Sequence, residues 1–130
     1  MLLAAIVANV LGWLLPVVQD NRGWQAFRVA LSPLLPYEGF RIEPGVLLVL
    51  SVASALTNGL FVALAAMLVL REGRAKAVLW AAAGATLLNL HWPISMGDES
   101  RQLAAGYFIW VVSFALLALA AFLALPRARR

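Results

Sequence analysis

Four long runs of this chain contain no Asp, Glu, Lys or Arg: Leu2 to Val18, Val46 to Leu70, Ala77 to Ile94 and Leu103 to Leu125. A helix crosses the hydrocarbon core of a bilayer with about 20 apolar residues, range roughly 17–25. The second and fourth runs meet that length with room to spare. The first and third are shorter and interrupted by Asn, Gly and Pro. Hydrophobic residues make up 64% of the 130 residues and charged residues 12%. A soluble domain carries roughly 45–50% and about 25%. So small a domain has no interior large enough to hide this much apolar surface from water. The expected fold is therefore an all-α integral membrane protein of one domain, residues 1–130. It is a four-span transmembrane helix bundle, with spans at about 2–18, 46–70, 77–94 and 103–125.

The first run is expected to be retained as a span rather than cleaved as a signal peptide. No Lys or Arg precedes it and no clear small-residue cleavage site follows it.

The connections predict orientation. Arg71, Arg74 and Lys76 follow the second run, and Arg127, Arg129 and Arg130 follow the fourth, so six of the ten basic residues fall on one side by alternation. Lys and Arg concentrate on cytoplasmic loops. Both termini are expected to be cytoplasmic, in a bacterial cytoplasmic membrane by architecture and alanine-rich composition. The longer connection, Gln19 to Gly45, would then lie outside.

That connection contains "GWQAFRVALSPLLP". At helical spacing Trp24, Phe27, Ala30, Leu31 and Leu34 share one side, with Gln25, Arg28 and Ser32 on the other. A short amphipathic surface helix is expected at about 23–33, between spans 1 and 2, at the interface or over the outer mouth of the bundle.

Each span also carries a stripe of small residues. The first has Ala5, Asn9, Gly12 and Pro16. The second has Ser51, Ser54, Ala55, Asn58, Ala65 and Ala66, opposite Leu56, Leu60, Leu64 and Met67. The third has Ala77, Ala81, Gly84 and Ala85; the fourth has Gly106, Ser113, Ala120 and Ala121, opposite Phe108, Val112, Leu119 and Phe122. Close backbone approach and interhelical hydrogen bonds join helices in lipid, and small residues permit both. Asn9 and Asn58, near mid-span at similar depth, are the candidate polar interior, and a reciprocal amide pair between them would use both donors and acceptors.

The single histidine, His91, stands in "NLHWPIS" near the outer end of the third run. With Asp20 and Glu99 it forms a candidate outer-boundary polar site, where it would bond water or a carbonyl freed by Pro93. Trp13, Trp92, Tyr107 and Trp110 are expected in the outer aromatic belt and Trp80 in the inner one.

Motifs of catalysis and nucleotide binding are missing. With no cysteine and one histidine, no metal site is expected, and no cofactor. The basic residues flank apolar runs instead of interleaving with aromatics, so nucleic acid is not an expected partner. The expected partners are the lipid bilayer and either a larger membrane protein complex or further copies of the chain. No run contains a charge, so coupling to protons or ions has little to act through. The expected function is that of a non-catalytic accessory, assembly or partner-binding bundle. The alternative is a subunit of a homo-oligomeric passive channel or small transporter.

Overall fold

The computed structural model describes residues 1–35, 45–70 and 73–125. Arg71, the tail arginines Arg127, Arg129 and Arg130, and Glu38, Arg41 and Glu43 lie outside these. The described chain is mostly helical, and three helical stretches are long and apolar enough to cross a membrane: Val46–Leu70, Ala75–Ser95 and Ala105–Leu123.

Helix α1 spans Leu2–Leu14. The first apolar run thus does not become one helix through residue 18. Pro16 explains the stop: its ring disfavours helical backbone at the preceding residue, and Leu15 is extended (φ −85°, ψ 158°). Strand β1, Pro16–Val18, then pairs antiparallel with β2, Asn21–Arg22, a short pairing within an otherwise all-α fold. Between the strands Gln19 takes a left-handed φ of 51°. That conformation is costly for a residue with a Cβ and persists where neighbours over-determine it. Here the Gln19 N–H donates to the Gln102 carbonyl at 2.8 Å, and its side-chain amide donates to Gln102 Oε1 at 3.0 Å.

Helix α2 is shorter than the sequence spacing implies, Gly23–Ala30. Its start is held by Gln25, whose Oε1 accepts the Arg22 N–H at 2.8 Å. Phe27 and Leu31 are half-buried, Trp24 and Arg28 exposed. Two residues lie opposite to expectation: Ser32 is buried and Leu34 exposed.

Helix α3 is Val46–Leu70 and α4 is Ala75–Asn89. A short helix α5, His91–Ser95, prolongs α4 past Pro93, and a 3₁₀ segment, Gly97–Gln102, leads to α6, Ala105–Leu123. Helix α6 is the centre of the fold. It packs along α1 on one side and α4 on the other, while α3 leans chiefly on α4. At the α6 entry, Ala104 N–H donates to the Val17 carbonyl at 2.8 Å, tying β1 to the start of α6.

Two clusters fill the interior. Toward the Gly73–Arg74 end, Ala5, Phe61, Leu64, Val78, Ala82, Phe114, Leu117 and Ala121 form an apolar core. Phe114 stands edge-on to Phe61 at 5.3 Å and to Trp110 at 5.6 Å between ring centres. Toward the Gly97–Gln102 end, Val17, Tyr107 and Val111 form a smaller one.

The small residues of α6, Gly106, Ser113, Ala120 and Ala121, are buried, and Phe108, Val112, Leu119 and Phe122 face outward. In α1, Ala5, Asn9 and Gly12 are buried. At Gly12 a Cβ would lie 2.6 Å from Trp110 Cβ and 2.9 Å from Trp110 Cα, so glycine is what lets α1 and α6 touch.

Two stripes are turned from expectation. On α3, Leu64 is buried and Ala66 exposed, because Thr57, Phe61 and Leu64 face α4 and α6. On α4 the buried line is Ala75, Val78, Ala82, Ala85 and Asn89, while Ala77 and Gly84 are exposed.

Candidate functional site

The polar side chains inside the bundle are joined rather than scattered. Asn9 is buried and donates from Nδ2 to Ser113 Oγ at 3.1 Å; Ser113 Oγ in turn donates to the Trp110 carbonyl at 2.6 Å. From the other side of α6, Trp110 Nε1 donates to Asn58 Oδ1 at 2.9 Å. Asn58 is half-buried and donates from Nδ2 to its own helix at the Ala55 carbonyl, 3.0 Å. The two asparagines therefore do not meet. Ser113 and Trp110 of α6 stand between them, which replaces a reciprocal amide pair by two separate bonds to one helix.

The hub of the arrangement is a residue that sequence reasoning passed over. Asn89 is fully buried. Its Oδ1 accepts from Ser54 Oγ at 2.7 Å and its Nδ2 donates to Thr57 Oγ1 at 3.1 Å. Its backbone carbonyl lies four residues before Pro93, which has no N–H to offer it. Tyr107 OH fills that role, donating to the Asn89 carbonyl at 2.7 Å. Trp92 Nε1 completes the set by donating to Ser54 Oγ at 3.0 Å. Three residues expected in the outer aromatic belt, Trp92, Tyr107 and Trp110, thus point polar atoms inward. Trp80 is 68% exposed on α4. A signal for Asn89 was available: Val78, Ala82, Ala85 and Asn89 recur at 4, 3 and 4 residues, one continuous helix face.

His91 takes a different carbonyl from the one Pro93 frees. Its Nδ1 lies 2.7 Å from the Leu88 carbonyl, which can only accept, so the proton is on Nδ1. Nε2 is buried without a hydrogen-bond partner among the described residues, and the ring lies 4.7 Å from that of Trp92. Asp20 and Glu99 are exposed. Neither is bonded to His91, so the structure does not assemble these three into one site. Among the described residues no group of three or more His, Asp or Glu side chains is placed to hold a metal.

Above the polar belt, at the Gly97–Gln102 end, lies a cavity of about 630 Å³. This falls within the roughly 300–1,000 Å³ of small-molecule sites. Its walls include Trp13, Phe27, Trp92, Tyr107 and Trp110. The rings of Trp13 and Phe27 pack at 5.2 Å, which joins α1 to α2. Ala26, Phe27, Val29 and Ala30 of α2 form one wall. Ser54 and Asn58 contribute polar atoms from α3, and Glu99 stands on the 3₁₀ segment. Of the residues proposed from sequence, Asn58 and Glu99 line this space, whereas Asn9, His91 and Asp20 stand outside it.

No protein-family model, curated protein or solved structure matches this chain.

Proposed function

We propose that the chain is a non-catalytic, four-span membrane protein that holds a ligand or a group of a partner protein in the cavity walled by α2. The observation that carries this reading is the cavity itself: apolar and aromatic walls over a base whose polar groups are already bonded to one another. Ser54, the hydroxyl nearest to a nucleophile, donates its hydrogen bond to Asn89 Oδ1 and has no base beside it among the described residues. That is a recognition surface rather than a reaction centre. An accessory or assembly role in a larger membrane complex uses the same surface. The alternative of a homo-oligomeric pore needs a polar face for its lumen. The faces turned away from the bundle carry Leu56, Val62, Phe108 and Val112, which suit lipid.

The four-span reading includes α1 even though it has only 13 helical residues. They rise about 20 Å, and the extended Leu15 to Val18 adds about 13 Å, near the roughly 30 Å of a hydrocarbon core. Extended backbone is tolerated at that depth where protein satisfies it. Here the Leu15 carbonyl accepts from Gly23 N–H at 3.2 Å and the Val17 carbonyl from Ala104 N–H. In this reading α2 is a surface helix at the outer interface, and both termini are cytoplasmic. The chain has no cysteine, so single-cysteine labelling is clean. On intact cells an impermeant thiol reagent is expected to label Asp98→Cys and spare Arg74→Cys; the reverse pattern inverts the topology.

The binding reading is tested by native mass spectrometry of the purified chain released from nanodiscs. A bound mass at one per chain is expected, and Ala26→Phe, which fills the cavity from α2, should remove it. A bare wild-type chain, or equal occupancy in wild type and Ala26→Phe, would sink the reading.

A further inference from the structure

The chemistry of the cavity lining selects among ligands. We infer that the site takes a lipophilic monocation: an amine, quaternary ammonium or phosphonium centre carried on an aromatic or alkyl body. This rests on the reading of the cavity as a binding site and adds the ligand class.

Three observations converge on it. First, five aromatic side chains, Trp13, Phe27, Trp92, Tyr107 and Trp110, line one space of about 630 Å³. Ring faces carry negative quadrupole density and attract cations within about 6 Å, tryptophan most strongly. Second, among the described residues Glu99 is the one lining residue with a formal charge, and no Lys, Arg or His lines the space. Among the described lining residues an anionic head would meet one negative charge and no positive one. Third, the Glu99 carboxylate is exposed and has no cationic partner among the described residues. It is held at the rim by the 3₁₀ turn, where Glu99 N–H donates to the Met96 carbonyl at 3.0 Å. A cationic centre seated there keeps contact with water while its apolar body lies against the rings.

Neutral ligands of the same shape gain the apolar contact but neither the cation–π attraction nor the Glu99 charge. Anions lose on both counts. The indole N–H groups of Trp92 and Trp110 are committed to Ser54 Oγ and Asn58 Oδ1, so neither is free to meet an anion.

The test uses three probes of related shape and different charge: tetraphenylphosphonium, triphenylphosphine oxide and tetraphenylborate. Binding is measured to the full chain in nanodiscs of zwitterionic lipid, with empty nanodiscs subtracted to remove partitioning. Saturable tetraphenylphosphonium binding at one per chain is expected, with the oxide weaker by on the order of tenfold and the borate without saturable binding. Glu99→Gln should weaken the phosphonium by about fivefold, as expected for an exposed charge pair, and leave the oxide unchanged. Asp98→Asn, next to it and outside the cavity, should change neither. If the oxide binds as tightly as the phosphonium, or Glu99→Gln changes nothing, the monocation assignment is overturned. The cavity reading then still stands, provided Ala26→Phe abolishes binding. If no probe binds saturably, the monocation assignment is likewise overturned, while the binding reading is decided by the bound mass in native mass spectrometry and its loss in Ala26→Phe.

Discussion

The two ends of this bundle solve the same packing problem by different means. Toward Gly73–Arg74 the interior is apolar and closely filled, with Phe61, Leu64, Val78, Phe114 and Leu117 meshed around the alanines Ala5, Ala82 and Ala121. Toward Gly97–Gln102 the helices are linked by hydrogen bonds through Asn58, Asn89, Ser113 and Tyr107, and above them stands a cavity. In lipid neither half is driven together by the exclusion of water, so each depends on contact and directionality. Dispersion needs filled space. Hydrogen bonds hold helices at set points and tolerate space beside them. The half built on bonds is therefore the half with room for a cavity.

The strongest way to break this comparison is to empty the filled half. Phe114 is fully buried and touches rings on two sides. Phe114→Ala is expected to destabilise the fold by about 3–5 kcal/mol, the range for truncating a buried aromatic residue. Chemical denaturation in nanodiscs reads this directly. A loss no larger than that of a lipid-facing truncation would show that the core does not carry the packing assigned to it.

Next comes the hub of the bonded half. Asn89→Leu removes bonds to Ser54 and Thr57 and adds branched bulk in a fully buried place. Interhelical bonds of this kind contribute about 0.6–2 kcal/mol each, so a loss of about 2–3 kcal/mol is expected by the same assay. It should be accompanied by a change in tryptophan emission, because Trp92 depends on Ser54. Unchanged stability and emission would remove Asn89 from the centre of the network.

Glycine substitution sharpens the difference between contact and exposure. Gly12→Ala puts a methyl group against the Trp110 backbone, and should cost about 1–3 kcal/mol through overpacking. Gly84→Ala meets nothing within 4 Å and should be neutral or gain up to about 1 kcal/mol from helix propensity. Similar thermal shifts for the two would mean that the α1–α6 contact is not close.

The smallest contrast is on α3. Asn58→Leu withdraws the partner of Trp110 Nε1 and is expected to cost about 1 kcal/mol. Leu60→Ala lies on an outward face, where Leu60 is 38% exposed, and should cost less in lipid. Equal or greater loss from Leu60→Ala would mean that α3 presents a different face.

Much of the fold is legible in the chain because charge is absent where lipid would be. The long run Val46–Leu70 and the run containing Ala105–Leu123 have no alternative to a helix that satisfies its own backbone. Pro16 and Pro93 are legible too, as places where the helical ladder breaks. What Pro16 starts is not. The strand pairing of Pro16–Val18 and its tie to Ala104 join positions far apart in sequence, and local pattern carries no trace of such partners. The same holds for the site. Glu99 and Asn58 stand out as polar residues beside apolar runs. The cavity they share needs α2, α3, α6 and the 3₁₀ segment together.

The sequence alone determined that this chain carries helices long and apolar enough to cross a membrane, and where they lie, because the transfer cost of charged groups writes itself into composition. Which face each helix turns inward was decided only by tertiary structure. In a soluble helix one face is polar and the choice is plain. Here lipid and interior are both apolar, and alanine is spread around α4, so the line through Ala77 and Gly84 and the line through Val78 and Asn89 are nearly equivalent by pattern. The second is chosen because Asn89 finds Ser54, Thr57 and Tyr107, three partners on two other helices.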